Sequence, residues 1–117
     1  KNHFPGKYDK LYRSASGCRI FNCKGRIPRS DSHVDSELAE YGITVNAIAP
    51  GWIDTPMFHK ATDNDAPRLA KIIGRIPAKE VGDPMDVGMC AAFLCSEAAR
   101  YISGTCIPVD GGALIGF

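Results

Sequence analysis

The sequence holds no stretch of about 18 apolar residues, which excludes a membrane-spanning helix, and its first residues, 1–6, lack the apolar core of a signal peptide. It also has no Cys-x-x-Cys pair. Its five cysteines, Cys18, Cys23, Cys90, Cys95 and Cys106, are odd in number and irregularly spaced, which argues against a zinc site and against a complete disulfide framework. They are expected to be buried thiols acting as small hydrophobes, with no metal site. The expected product is soluble and cytoplasmic. With 117 residues and 44% hydrophobic content, one small core is the most that can form.

The net charge of +1 conceals an asymmetry. Residues 1–30 carry eight basic side chains and one acidic, whereas the remainder carries six basic and twelve acidic. A basic arm can bind nucleic acid or an anionic membrane. Here the cations follow no helical or strand spacing and no stacking aromatics are interleaved, so a solvated segment is the expectation, with no nucleic acid and no membrane partner. The turn formers Pro5, Gly6, Gly17, Gly25 and Pro28 punctuate residues 1–35, and that third of the chain is expected to be irregular.

Order begins near Ser36. Residues 36–41 read as the end of a helix stopped by Gly42, and residues 43–49 form a near-continuous apolar run bounded by Gly42 and Pro50. Such a run suits a parallel strand covered on both faces. Residues 52–82 form a cover containing a helix, because Leu69, Ile72, Ile73 and Ile76 repeat at three-to-four spacing after Pro67. Asp83 and Pro84 then start a helix running to about Ser96, with Val87, Cys90, Ala91 and Leu94 on one stripe. After the Ser103–Gly104 turn, residues 105–109 make a second strand closed by Asp110, Gly111 and Gly112. Strand, cover, helix, strand is a βαβ rhythm.

Four motifs stand in a familiar order: YGITVNAIAPG at 41–51, WIDTPM at 52–57, GDPMDV at 82–87 and YISGTCIPVDGG at 101–112. Together they resemble the C-terminal half of the short-chain dehydrogenase/reductase (SDR) family, and most closely its glucose 1-dehydrogenase-like and 3-oxoacyl-[acyl-carrier-protein] reductase-like members. The resemblance implies an α/β fold, the C-terminal part of a Rossmann-like doubly wound parallel sheet over residues 36–117, preceded by the irregular segment. It also implies NAD or NADP as cofactor, a small-molecule alcohol/carbonyl substrate (sugar, polyol or oxoacyl) and a homo-oligomeric full-length protein. Pro50 and Gly51 would then face the nicotinamide, with the Ile53 backbone and the Thr55 hydroxyl on its carboxamide. Thr55 also reads as a helix N-cap, and Asn46 as a satisfied buried amide.

The glycine-rich phosphate loop is absent from the sequence, as is the family's tyrosine with a lysine four residues later. Tyr12 lies near the family's distance after Pro5 and Gly6 and is the candidate catalytic residue, but Ser16 occupies the lysine's place. Codons allowed for residues 20–35, read one base out of frame, can spell a tyrosine and a lysine at the family spacing, so residues 1–35 also read as a frame-shifted catalytic region. The expectation is thus an inactive piece of an oxidoreductase. The alternative is a non-enzymatic, partner-binding piece that uses the helix from Pro84 and the strand to Val109, elements that lie at subunit interfaces in family tetramers.

Overall fold

The computed structural model describes Tyr12–Arg13, Arg19–Asn22 and residues 37–115, with the side chains of the first two segments described only at Ile20. Its elements are strands β1 (Tyr12–Arg13), β2 (Arg19–Asn22) and β3 (Val45–Pro50), helices α1 (Pro56–Thr62), α2 (Ala66–Arg75) and α3 (Pro84–Leu94), a 3₁₀ turn at Glu97–Ala99, and strand β4 (Cys106–Val109). The four strands form one sheet in the order β1-β2-β3-β4. β1 runs antiparallel to β2, and β2 runs parallel to β3.

β3 and β4 are neighbours, as the βαβ rhythm predicts, with α3 on the connection between them. Their backbone bonds climb both strands together: Gly104 donates to the Val45 carbonyl, Ala47 to Thr105 and Gly51 to Val109, which is the parallel direction. The expected boundaries shift by a residue or two at each end. A larger difference lies upstream. Residues 1–35 do not stay wholly irregular, because Arg19–Asn22 pairs with β3 in the register Arg19 to Val45 through Asn22 to Ile48, and Ile20 is buried. Four residues are too few to show a period, and the ladder offered by β3 supplies the order that local pattern does not.

The chain divides into two compact units, Lys1–Ala49 with Ala91–Ile107, and Pro50–Cys90 with Pro108–Phe117. The described core of the first is Ile20, Val45, Ile48, Leu94 and Ala99, and the amide of Asn46 is buried too. As expected, that amide is satisfied: Asn46 Nδ2 donates to the Ile102 carbonyl at 2.9 Å, and Oδ1 accepts from the Thr105 N–H at 3.3 Å. Ser103 adds its hydroxyl oxygen to the Val45 N–H at 3.0 Å. Gly42, at a φ of +68°, takes the left-handed position that ends the helical residues before β3.

In the second unit, Ile72 and Ile76 of the predicted apolar stripe are buried, each contributing about 1.5–3 kcal/mol of hydrophobic stabilisation. The cover contains two helices where one is expected. α2 is capped by Asp65, whose carboxylate accepts from the Arg68 N–H. α3 begins with a reciprocal cap, in which Asp83 accepts from the Met85 N–H at 2.7 Å while Asp86 accepts from the Asp83 N–H at 2.8 Å. The helix ends at Leu94, short of Ser96. Cys90, Cys95 and Cys106 are half-buried rather than buried, and burial pushes the Cys90 thiol above its ordinary pKa, toward the inert form.

Candidate functional site

The turn after β3 is fixed by two close approaches of backbone. Gly51 donates to the Val109 carbonyl at 2.9 Å, and a Cβ built on Gly51 would stand 2.5 Å from the Asp110 Cβ. The sequence suggests that glycine is needed here to admit a cofactor; the structure gives it a nearer reason, the crossing of Asp110. Asp110 is itself immobilised, its two carboxylate oxygens accepting from the N–H groups of Gly112 (2.9 Å) and Leu114 (2.8 Å).

Beyond Gly51 the chain is clasped by Gly82. The Gly82 N–H donates to the Trp52 carbonyl at 2.9 Å, and the Asp54 N–H donates to the Gly82 carbonyl at 2.8 Å, making a one-residue parallel bridge between Ile53 and Gly82. In such a bridge the partner uses the groups on either side of the central residue, so the N–H and C=O of Ile53 itself point the other way. Neither has a hydrogen-bond partner among the described residues. Ile53 is half-buried, and a Cβ on Gly82 would come within 2.9 Å of the Ile53 Cδ1.

Thr55 then caps α1: its backbone is extended and its hydroxyl oxygen accepts from the Phe58 N–H at 3.3 Å. The cap uses a lone pair and leaves the hydroxyl proton available as a donor. Both readings of Thr55 therefore coexist chemically. α1 itself is short, seven residues, and is tied by local bonds: buried Thr62 donates to the Phe58 carbonyl at 2.8 Å, and Phe58 meets the Trp52 ring at 6.3 Å between centroids. On its exposed side His59 stands between two carboxylates, Nε2 at 2.6 Å from Asp54 and Nδ1 at 2.8 Å from Asp63. The Asp63 hydrogen bond and charge, and then the charge of Asp54, raise the His59 pKa above its ordinary 6.5.

Pro50, Gly51, Ile53 and Thr55 are thus brought together on one turn. A concavity of about 350 Å³ in the same unit is lined by Glu80, Gly82, Asp86 and the 108–112 turn, and none of those four residues lines it. We place the candidate site at the turn, because the Asp86 and Asp110 carboxylates of the concavity are already engaged as caps. Tyr12 contributes backbone to β1, paired with Ile20, while its side chain lies outside the described residues. Sequence reasoning missed Gly82, Asp54 and His59. The four-residue spacing of His59 and Asp63 was the available signal for the last.

Comparison with known proteins covers the stretch of chain that holds this turn. The family model for enoyl-(acyl carrier protein) reductase matches residues 33–113. A 2-dehydro-3-deoxy-D-gluconate 5-dehydrogenase from Pseudoalteromonas atlantica is 45% identical over 89 residues, covering 76% of this chain and 35% of the relative. The 3-oxoacyl-[acyl-carrier-protein] reductase MabA of Mycobacterium bovis is 48% identical over 80 residues, covering 68% and 31%. A solved structure from Agrobacterium tumefaciens, a candidate 2-deoxy-D-gluconate 3-dehydrogenase with bound NADP, superposes with a TM-score of 0.66 at 44% identity, covering 71% of this chain and 33% of that one. The chain spans about a third of the length of the curated relatives it matches.

Proposed function

The chain belongs to the short-chain dehydrogenase/reductase family, and from that premise we propose that it supplies the nicotinamide end of an NAD(P)-dependent oxidoreductase acting on an alcohol/carbonyl pair of sugar, sugar-acid or oxoacyl type. The observation that carries this reading is the N–H and C=O of Ile53, unpartnered among the described residues, next to the Thr55 hydroxyl. A primary carboxamide is complementary to such a set: its oxygen accepts from N–H or O–H, and its NH₂ donates to a carbonyl. Bound nicotinamide supplies hydride transfer. The residues of this chain hold and orient: Gly51 fixes the turn by its crossing with Asp110, Gly82 holds Trp52 and Asp54 on either side of Ile53, and Thr55 sets the start of α1.

Tyr12 is the proton-exchanging residue in this proposal, and the sequence places no lysine four residues after it. Without that lysine, and without a glycine-rich phosphate loop in the sequence, the chain by itself is inactive and binds the dinucleotide weakly. Titration of the ¹⁵N-labelled chain with millimolar NADPH tests the reading: amide shifts should concentrate on residues 51–55. Shifts spread evenly, or none at these residues, would remove the site assignment. A tight calorimetric signal, in the micromolar range, would remove the claim of weak binding.

A second reading rests on α3. Met85 and Met89 are each 64% exposed and Phe93 45%, all on one stripe at helical spacing, while Val87, Cys90, Ala91 and Leu94 occupy another face. A helix apolar on more than one side is one that a larger assembly covers. This stripe is proposed as a contact between copies in a homo-oligomer. Sedimentation should show self-association that Met89→Glu abolishes; a monomeric chain at all concentrations would refute it.

A further inference from the structure

The proposed turn has a second anchor that the carboxamide reading does not use. Asp54 is held twice, by its backbone N–H on the Gly82 carbonyl and by its carboxylate on His59 Nε2 at 2.6 Å. The other ring nitrogen of His59 faces Asp63, the C-cap residue of α1, whose own N–H donates to the His59 carbonyl. A single imidazole thus joins the turn before the helix to the helix's far end. We infer that His59, as an imidazolium donating from both nitrogens, is a positioning residue that latches the 53–55 turn onto α1, and that the latch opens when the ring loses its proton.

The reason is the donor count of the ring. Imidazolium has two N–H donors, one for each carboxylate, and charge strengthens both bonds. Neutral imidazole has one N–H and one lone pair, so either Asp54 or Asp63 then faces a lone pair and the bridge is broken on that side. Asp54 from the turn and Asp63 from the C-cap are the charged groups that act on the ring; among the described residues none from the neighbouring α2 does so. Both carboxylates favour the protonated form, which places the switch above the ordinary histidine value of 6.5. The bridge is complete below that value and is lost as pH rises through the raised one. Its link to cofactor orientation rests on the carboxamide reading, whereas the latch stands on the geometry of the three side chains.

The test is a titration of the ¹⁵N-labelled chain, following the His59 ring resonances, assigned with His59→Gln, together with the hydrogen-exchange protection factor of the Asp54 amide. The expected result is a His59 midpoint above 6.5, lowered in Asp63→Asn, and Asp54 protection that falls several-fold through that midpoint. In His59→Gln, which folds without a titrating ring, Asp54 protection should be independent of pH over the same range. A His59 midpoint at the ordinary value, or Asp54 protection that does not follow it, overturns the latch. NADPH separates the two claims: a working latch with no NADPH shifts at residues 51–55 sinks the carboxamide reading alone, and NADPH shifts without pH-linked protection sink the latch alone.

Discussion

The Asn46 amide and the His59 imidazole, two polar groups that tie loop to strand or helix among the described residues, differ in access to water and in charge. Asn46 is 2% exposed and joins β3 to the Ile102 and Thr105 backbone by two bonds. His59 is more than half exposed, as is Asp63, and joins its turn to α1 through charge. A neutral amide in a buried setting cannot titrate, and its loss orphans the groups it served, so that cluster is rigid at every pH. An exposed imidazole can exchange its proton with solvent and is screened by salt, so its cluster is adjustable. The first unit thus fixes its backbone with a buried amide, and the second adjusts its turn with a solvated charge.

Removing the buried amide should therefore have the largest effect. Asn46→Ala leaves the Ile102 carbonyl and the Thr105 N–H without their partner, and at about 1–3 kcal/mol for each orphaned group the loss should be about 2–6 kcal/mol. Urea denaturation reads it as a lowered midpoint, unchanged between pH 5 and pH 8. A pH-dependent loss would break the contrast between the clusters. Gly51→Ala comes next: the added methyl must displace the Asp110 backbone, at a cost of about 1–3 kcal/mol. If that variant is as stable as the parent, the crossing is not what requires glycine.

The helix cap lies between the two clusters in size of effect. Thr55→Val removes the oxygen that accepts from Phe58 and should cost about 1 kcal/mol, while Thr55→Asp restores the acceptor and the stability but not the hydroxyl donor. Amide shifts with NADPH then discriminate between cap and ligand contact. If Thr55→Asp responds to NADPH as the parent does, the hydroxyl has no role in binding.

Much of this was legible in the sequence where local chemistry and final environment agree. Gly42 and Pro50 bracket an apolar run, so β3 could be read directly; Asp83 and Pro84 announce α3; and Leu69 to Ile76 carry α2 by spacing. Asn46 could be read as a satisfied amide because a polar residue inside a buried strand must find partners. Three features could not. β2 owes its order to pairing with β3, a non-local cause. α1 has no apolar period and is held by a cap, by the Thr62 back-bond and by the His59–Asp63 pair. The Ile53 groups that have no partner among the described residues belong to backbone, and residue type carries no information about which way a carbonyl points. The same limit kept Gly82 out of the site, since its role is to supply two backbone bonds.

The smallest expected effect is the one that solution conditions control. In Asp63→Asn the imidazolium keeps Asp54 but loses the carboxylate that most strongly raises its pKa. A group whose pKa is higher in the folded chain stabilises it fully below the unfolded value and ceases to do so as pH rises through the folded one. Asp63→Asn should therefore denature at lower urea than the parent at about pH 5, by a small margin because the pair is exposed, and should match the parent once the pH has passed the His59 midpoint. Raising the salt to about 1 M, where the screening length falls to about 3 Å, should shrink the margin at low pH and leave the Asn46→Ala loss untouched. A margin equal at both pH values and indifferent to salt would mean that Asp63 contributes only its shape and the neutral hydrogen bond that asparagine preserves, and the exposed cluster would then be as fixed as the buried one.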